Sequence, residues 1–298
     1  MLQTDAIRTA PFELLPSDTF VGAEIRGLDL SKPVPEATFQ AISKAFADHS
    51  VLVFRDQSLT PAQRVAFSQR FGPLQVNVRS DFNHPQHPEI YTVSNVIVDG
   101  KPIGSGDAGR YWHSDLCYVE KPTMASLLYA LEVPEKDGVT LGNTLFASTW
   151  KSYDDLAEDI KPRLAGLKAV NSYNAMFDRK AAEFGVRPVL TEEAKKKLPK
   201  DAVHPVVRTH PVTGRKCIYV CEGYTTRILD IPEAESDELL EILFTQVKKD
   251  EYIYRHKWRV GDLVMWDNCG VQHLASFDYA LPLRRRMERT TVEGSVPC

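Results

Sequence analysis

The apolar residues of this chain fall in short runs of strand length, and that spacing excludes most architectures. Residues 50–55 read Ser-Val-Leu-Val-Phe-Arg, and residues 124–133 read Met-Ala-Ser-Leu-Leu-Tyr-Ala-Leu-Glu-Val. Such runs, continuous in Val51–Phe54 and nearly so in 124–133, suit strands covered on both faces. Further strand patterns occupy 20–30, 90–96, 252–258, 262–266 and 286–292, and residues 204–220 read as two strands around the turn at 211–215. Helical spacing appears in 35–46, where Phe39, Ile42, Ala45 and Phe46 share a face, and again in 151–167 and 235–247. Thr60 and Pro61 mark one more helix start as N-cap and first helical residue, and Gly72-Pro73 marks its stop. Strands gathered in a block with helices outside it predict a mainly β fold with surrounding helices, a sandwich or jelly roll rather than a doubly wound sheet. No glycine-rich nucleotide fingerprint and no internal repeat occurs.

At 298 residues, the chain suits a single elaborated β domain spanning 1–298. Two segments stand apart from the β pattern. Residues 77–111 are rich in Asn, Asp, His, Pro and Gly, as expected of a lid beside a site. Residues 178–201 are highly charged and predict a surface insertion, its lysines on a solvated face. A net charge of −4 gives no basic excess for a nucleic acid partner. No run approaches the length of a membrane span, and the N-terminus lacks a secretory pattern. The five cysteines, with no Cys-x-x-Cys pair, read as reduced thiols of a cytoplasmic protein.

The chemistry begins at Trp112-His113-Ser114-Asp115. On a strand, positions i and i+2 point to one face, so His113 and Asp115 can present an imidazole and a carboxylate to one ion. His273 follows 160 residues later, after Trp266-Asp267-Asn268. Two histidines and one carboxylate form a facial triad that leaves positions open on Fe(II), suited to a 2-oxo acid and O2. A zinc hydrolase or lyase on the same scaffold, or a non-catalytic binding protein, is the alternative reading. The third element is Arg284-Arg285-Arg286-Met287-Glu288-Arg289. If these residues form a strand, Arg285, Met287 and Arg289 share a face, and a buried arginine fork there suits a carboxylate.

These residues resemble the taurine / 2,4-dichlorophenoxyacetate dioxygenase (TauD/TfdA) family, Fe(II)- and 2-oxoglutarate-dependent enzymes with a double-stranded β-helix (jelly-roll) core. The resemblance spans residues 50–74, 112–118 (WHSDLCY), 142–146 (GNTLF), 204–228, 254–273 and 284–291. It implies iron ligands His113, Asp115 and His273, and 2-oxoglutarate contacts from Thr144 and Arg285. It also implies substrate contacts from Arg289, Tyr224 and Leu116. The implied reaction hydroxylates a small organic anion (a sulfonate, or an aryloxy or other carboxylate) and yields succinate and CO2. A carboxylate at Asp115 favours hydroxylation over halogenation. Three departures stand out. Asn143 replaces the usual aspartate before the threonine. The segment after His273 is one residue longer, which makes Arg284 a rival to Arg285. The position of a substrate-binding histidine after Phe71-Gly72-Pro73-Leu74 falls in a stretch holding Gln75 and Asn77, which places Asn77 in the pocket. Arg110 offers a further positive charge nearby. A homo-oligomer, dimer or tetramer, is also expected.

Overall fold

The computed structural model describes residues 11–77, 80–185 and 191–298. One large sheet runs, in spatial order, through Glu13–Pro16, Ala23–Arg26, Val51–Phe54, Leu263–Asp267, Thr123–Glu132, Arg286–Glu293, His87–Ser94 and Asn83–His84. All of its pairings are antiparallel except that of Ala23–Arg26 with Val51–Phe54. A smaller sheet of Ile253–His256, Thr144–Ser148 and Val271–Ala275 accompanies it. This is the jelly-roll architecture that the sequence predicts.

Both faces of the large sheet are buried, which explains the unbroken apolar runs. Leu52, Phe54, Leu127, Leu263 and Met265 pack with Ile42, Phe46 and Phe67, which belong to the helices Glu36–His49 and Pro61–Gln69. Their sequence neighbours Val51, Val53, Leu128, Val264 and Trp266 point the other way, onto Phe146 and Val271 of the small sheet. The period-two alternation of a strand thus feeds two separate cores. The helix Pro61–Gln69 has the expected start: Thr60 and Gln63 form a reciprocal capping box, with Pro61 in the first turn.

The single helix expected over 151–167 is two short pieces, Thr149–Asp154 and Ile160–Arg163. Pro162 lies in the first turn of the second piece, where its missing N–H does no harm; in one long helix it would break the ladder. The segment 77–111 is only partly a loop. His87–Ser94 is an integral strand of the large sheet, beside Arg286–Glu293. Residues 78–79 lie outside the described set. The charged stretch 178–201 is exposed or half-buried at every described side chain but Lys180. It begins inside the helix Tyr173–Phe184, whose Lys180 is buried; residues 186–190 are not described.

Candidate metal centre and its two cavities

His113 and His273 meet through an isolated antiparallel bridge. The His113 N–H donates to the His273 carbonyl at 3.2 Å, and the His273 N–H donates back at 2.9 Å. Their rings stand 4.1 Å apart, centroid to centroid. Asp115 reaches the same point by another route than a shared strand face. The chain leaves the bridge into a turn, with Leu116 at φ +52°. Three contacts then aim the carboxylate. The Asp115 N–H donates to Asn268 Oδ1 at 2.9 Å, Ser126 Oγ donates to Asp115 Oδ2 at 2.6 Å, and Arg289 Nη1 donates to Oδ1 at 2.6 Å. Asn268 also donates to Ser126 Oγ at 3.1 Å, which closes a ring of hydrogen bonds behind the carboxylate. Nε2 of His113 and of His273 lie 3.8 and 3.9 Å from its oxygens.

The protonation states suit a cation. His113 Nδ1 faces two carbonyl oxygens, of Tyr111 at 2.9 Å and His273 at 3.1 Å. Both are acceptors, so Nδ1 carries the hydrogen and Nε2 keeps its lone pair. Burial holds both imidazoles below their usual range, His273 further than His113. Burial alone would raise Asp115; Arg289 and then the two histidines outweigh it and hold the carboxyl far below the usual range. The pocket therefore presents two neutral imidazoles and one carboxylate, the donor set a divalent ion requires. These three residues place their ligand atoms within 4.8 Å of one another.

A second trio, His210, Asp267 and Cys269, clusters as tightly but is a brace. His210 Nε2 lies 2.6 Å from Asp267 Oδ2, and its Nδ1 accepts the N–H groups of Val212 and Thr213, each at 3.1 Å. With both ring nitrogens engaged, and the Cys269 thiol pushed well up by burial, no lone pair there is directed at an ion.

The match to known proteins now has its structural context. The profile of the family described as "Taurine catabolism dioxygenase TauD, TfdA family" matches residues 12–291. The chain belongs to the TauD/TfdA family. It is 33% identical to pentalenolactone F synthase of Streptomyces arenae, with 91% of each chain covered. It is 31% identical to the alpha-ketoglutarate-dependent 2,4-dichlorophenoxyacetate dioxygenase of Cupriavidus pinatubonensis, covering 94% of this chain and 98% of that one. Among solved structures, AAD-2 in complex with Mn(II) and N-oxalylglycine superposes with a TM-score of 0.79 at 30% identity, over 96% of this chain and 98% of the other. This TauD/TfdA dioxygenase is an oxidoreductase that uses Fe(II), 2-oxoglutarate and O2, and its His-Asp-His set fits the metal.

Behind the histidines lies a cavity lined by Thr144, Arg285, Leu128, Trp266 and Ala275. Arg285 precedes the strand Arg286–Glu293, which opens with a bulge, so it is not itself a strand residue. Its main chain is pinned from both sides: its N–H donates to Asn95 Oδ1 at 2.8 Å, and its carbonyl accepts Ser94 Oγ at 2.8 Å. The guanidinium is buried, with Nε unpartnered. Arg284 points the other way, to a surface pair with Glu132 at 2.7 Å. Thr144 Oγ1 accepts Trp258 Nε1–H at 3.0 Å, which leaves the hydroxyl hydrogen to donate. Gly142 is required in this turn. At φ +68°, a side chain there would meet Tyr279 at 2.9 Å and Arg285 Cδ at 3.0 Å.

In front of the histidines a cleft opens toward solvent. It gathers Asn77, Leu116, Tyr224 and Arg289, all named from the sequence. Arg289 is the one whose setting differs, since its guanidinium faces Asp115 as well as the cleft. Arg110 lies to one side, between the rings of Phe277 and Phe184, at 4.0 and 4.8 Å. Sequence reasoning misses Tyr118, Tyr173, Met176 and Lys180, which also line the walls. It also misses Ser126, which sits inside an apolar strand and signals nothing until it meets Asp115. Tyr118 stands 4.8 Å from both Tyr173 and Tyr224, centroid to centroid.

Proposed function

We propose that this dioxygenase hydroxylates a small organic anion with a flat or apolar body, such as a sulfonate or an aryloxy or other carboxylate. One observation carries the reading. An aromatic wall of Tyr118, Tyr173 and Tyr224 and the basic side chain of Arg289 face one cleft that ends at His113 and Asp115. Aromatic faces bury an apolar body, and a guanidinium pairs with an oxyanion. The names of two relatives point the same way: one is a 2,4-dichlorophenoxyacetate dioxygenase, and another, from Pseudomonas putida, is a sulfate ester dioxygenase.

Within this reading, His113, Asp115 and His273 hold the iron. The metal supplies the oxidising chemistry that couples decarboxylation of 2-oxoglutarate to substrate hydroxylation, with succinate and CO2 as co-products. Arg285 receives the distal carboxylate of 2-oxoglutarate through its planar fork, and the Thr144 hydroxyl donates to the same carboxylate. Ser126 and Asn268 keep the Asp115 oxygens aimed at the metal, and Arg289 holds that carboxylate ionised beside the substrate. Leu116, Tyr224 and Asn77 shape the cleft and exclude water from the carbon being oxidised.

The direct test is succinate formation from 2-oxoglutarate across a panel of sulfonates, aryloxyacetates and simple carboxylates. The expected result is Fe(II)- and O2-dependent succinate in step with loss of one class of acid. Tight coupling to neutral compounds, with none to any acid, would overturn the reading. A homo-oligomer and a cytoplasmic setting belong to the same proposal. The second is supported by five free cysteines, and a sedimentation measurement tests the first.

A further inference from the structure

The helix Tyr173–Phe184 buries Tyr173, Met176, Phe177 and Lys180. The spacing is that of one apolar stripe, with a lysine at one of its positions. Lys180 is only 4% exposed. Its Nζ donates to the Asp107 carbonyl oxygen at 2.8 Å and stands 3.9 Å from the Asp107 carboxylate. Asp107 is held in turn by Ser105 Oγ at 3.2 Å. Lys180 lines the cleft together with Met176, Tyr224 and the metal-centre residues His113 and Asp115.

A buried ammonium in an apolar stripe needs a reason, because an apolar residue would fill the same space without desolvating a charge. Anchoring residues 105–109 to the helix is one reason, and a peptide carbonyl serves that role. A carbonyl is also a neutral acceptor, and an ammonium with three N–H bonds binds an oxyanion in preference to it. Among the described residues Arg289 also lines the cleft, opposed by Asp115 at 2.6 Å as Lys180 is by Asp107 at 3.9 Å. The two positive groups stand on different walls.

We propose that Lys180 is a specificity-determining contact for the oxyanion of the substrate, taking a carboxylate or sulfonate oxygen at the cleft wall formed by the helix. This rests on the organic-anion reading above and adds the residue that selects for charge. The oxyanion sits toward the helix end of the cleft, and the aryl or alkyl body lies against Tyr118, Tyr173 and Tyr224.

The test uses full-length protein loaded with Mn(II) and N-oxalylglycine, titrated calorimetrically with phenoxyacetate, phenylmethanesulfonate and the neutral phenoxyacetamide. The expected result is that Lys180→Met weakens the acids by about tenfold to a hundredfold, the usual range for a lost charged hydrogen bond. Lys180→Arg should recover part of that loss, and the amide should bind wild type and variants alike. The acid losing more affinity identifies the preferred oxyanion. Equal affinity of wild type and Lys180→Met for the acids would overturn the proposal. So would an equal loss for acid and amide, which marks a purely structural tether. If Lys180→Met does not fold, Lys180→Gln gives the same comparison with the hydrogen-bond donor kept. If wild type binds no acid and forms no succinate with any of them, the organic-anion reading has failed, and the Lys180 proposal falls with it.

Discussion

The two cavities that meet at His113 are built by different means. The rear one is framed largely by strands: Thr144 pairs with Ala275 on one side and His256 on the other, and Arg285, just before a strand, is pinned through its main chain by Asn95 and Ser94. The front one takes its walls from a helix, a turn with Leu116 at positive φ, the segment 105–109 and Asn77. A strand lattice can hold one geometry for one small diacid. Walls from separate loops and a helix can vary without disturbing the sheet. The difference teaches that the co-substrate end of such a site is a property of the fold, and the substrate end is a property of the particular chain.

The largest expected effect strikes the point both cavities share. His113→Ala should abolish iron retention and lower turnover by roughly a thousandfold or more; iron measured after gel filtration checks this, and full occupancy in the variant would refute the metal assignment. Next comes the rear cavity. With the proposed role of Arg285, Arg285→Ala would remove the bidentate partner of the distal carboxylate and should raise the KM for 2-oxoglutarate by about a hundredfold, with a smaller change in the substrate KM. An equal rise in both would mean that the two cavities are not separable. Thr144→Val removes one neutral donor, and a rise of about threefold to tenfold in the same KM is expected.

A smaller effect tests both cavities through pH. Burial lowers His256, beside Thr144, and also His204, whose Nε2 lies 2.9 Å from the Val119 carbonyl in the front turn. Unfolded histidines titrate near about 6.5. Below that pH the unfolded chain binds protons that the folded one refuses, so stability present above it is lost as pH falls toward the depressed folded values. The melting midpoint of the metal-free protein should drop by several degrees between pH 7.5 and 5.5, and His256→Gln should flatten the dependence. A midpoint that rises over this interval would reverse the sign. The least effect belongs to Arg284→Ala. Its exposed pair with Glu132 contributes at most about 1 kcal/mol, and the KM for 2-oxoglutarate should stay within about twofold. A large rise would transfer the co-substrate role to Arg284.

Much of the site is legible because motif residues are also register residues. His113, Asp115, Thr144, His273 and Arg285 each sit in or next to a short stretch whose turn or strand chemistry is written locally, as with Gly142 before Thr144. The route to Asp115 is not legible. Strand alternation predicts its direction correctly, yet a turn, Ser126 and Asn268 are what aim the carboxylate. Tyr173, Met176 and Lys180 are readable only as a helix stripe beside a charged segment. Nothing local distinguishes a stripe that faces a core from one that faces a cleft.

The sequence by itself determined the sheet-forming runs, the helix caps and the chemical identity of the candidate donor set, because strand period, capping and donor chemistry act over a few residues. Tertiary structure decided which arginine turns inward and which lysine is buried. It also decided that the second His-Asp-Cys cluster is a brace. Those outcomes depend on groups far apart in the chain, 174 residues for Arg289 and Asp115, and only the closed fold brings their charges and hydrogen bonds into one space.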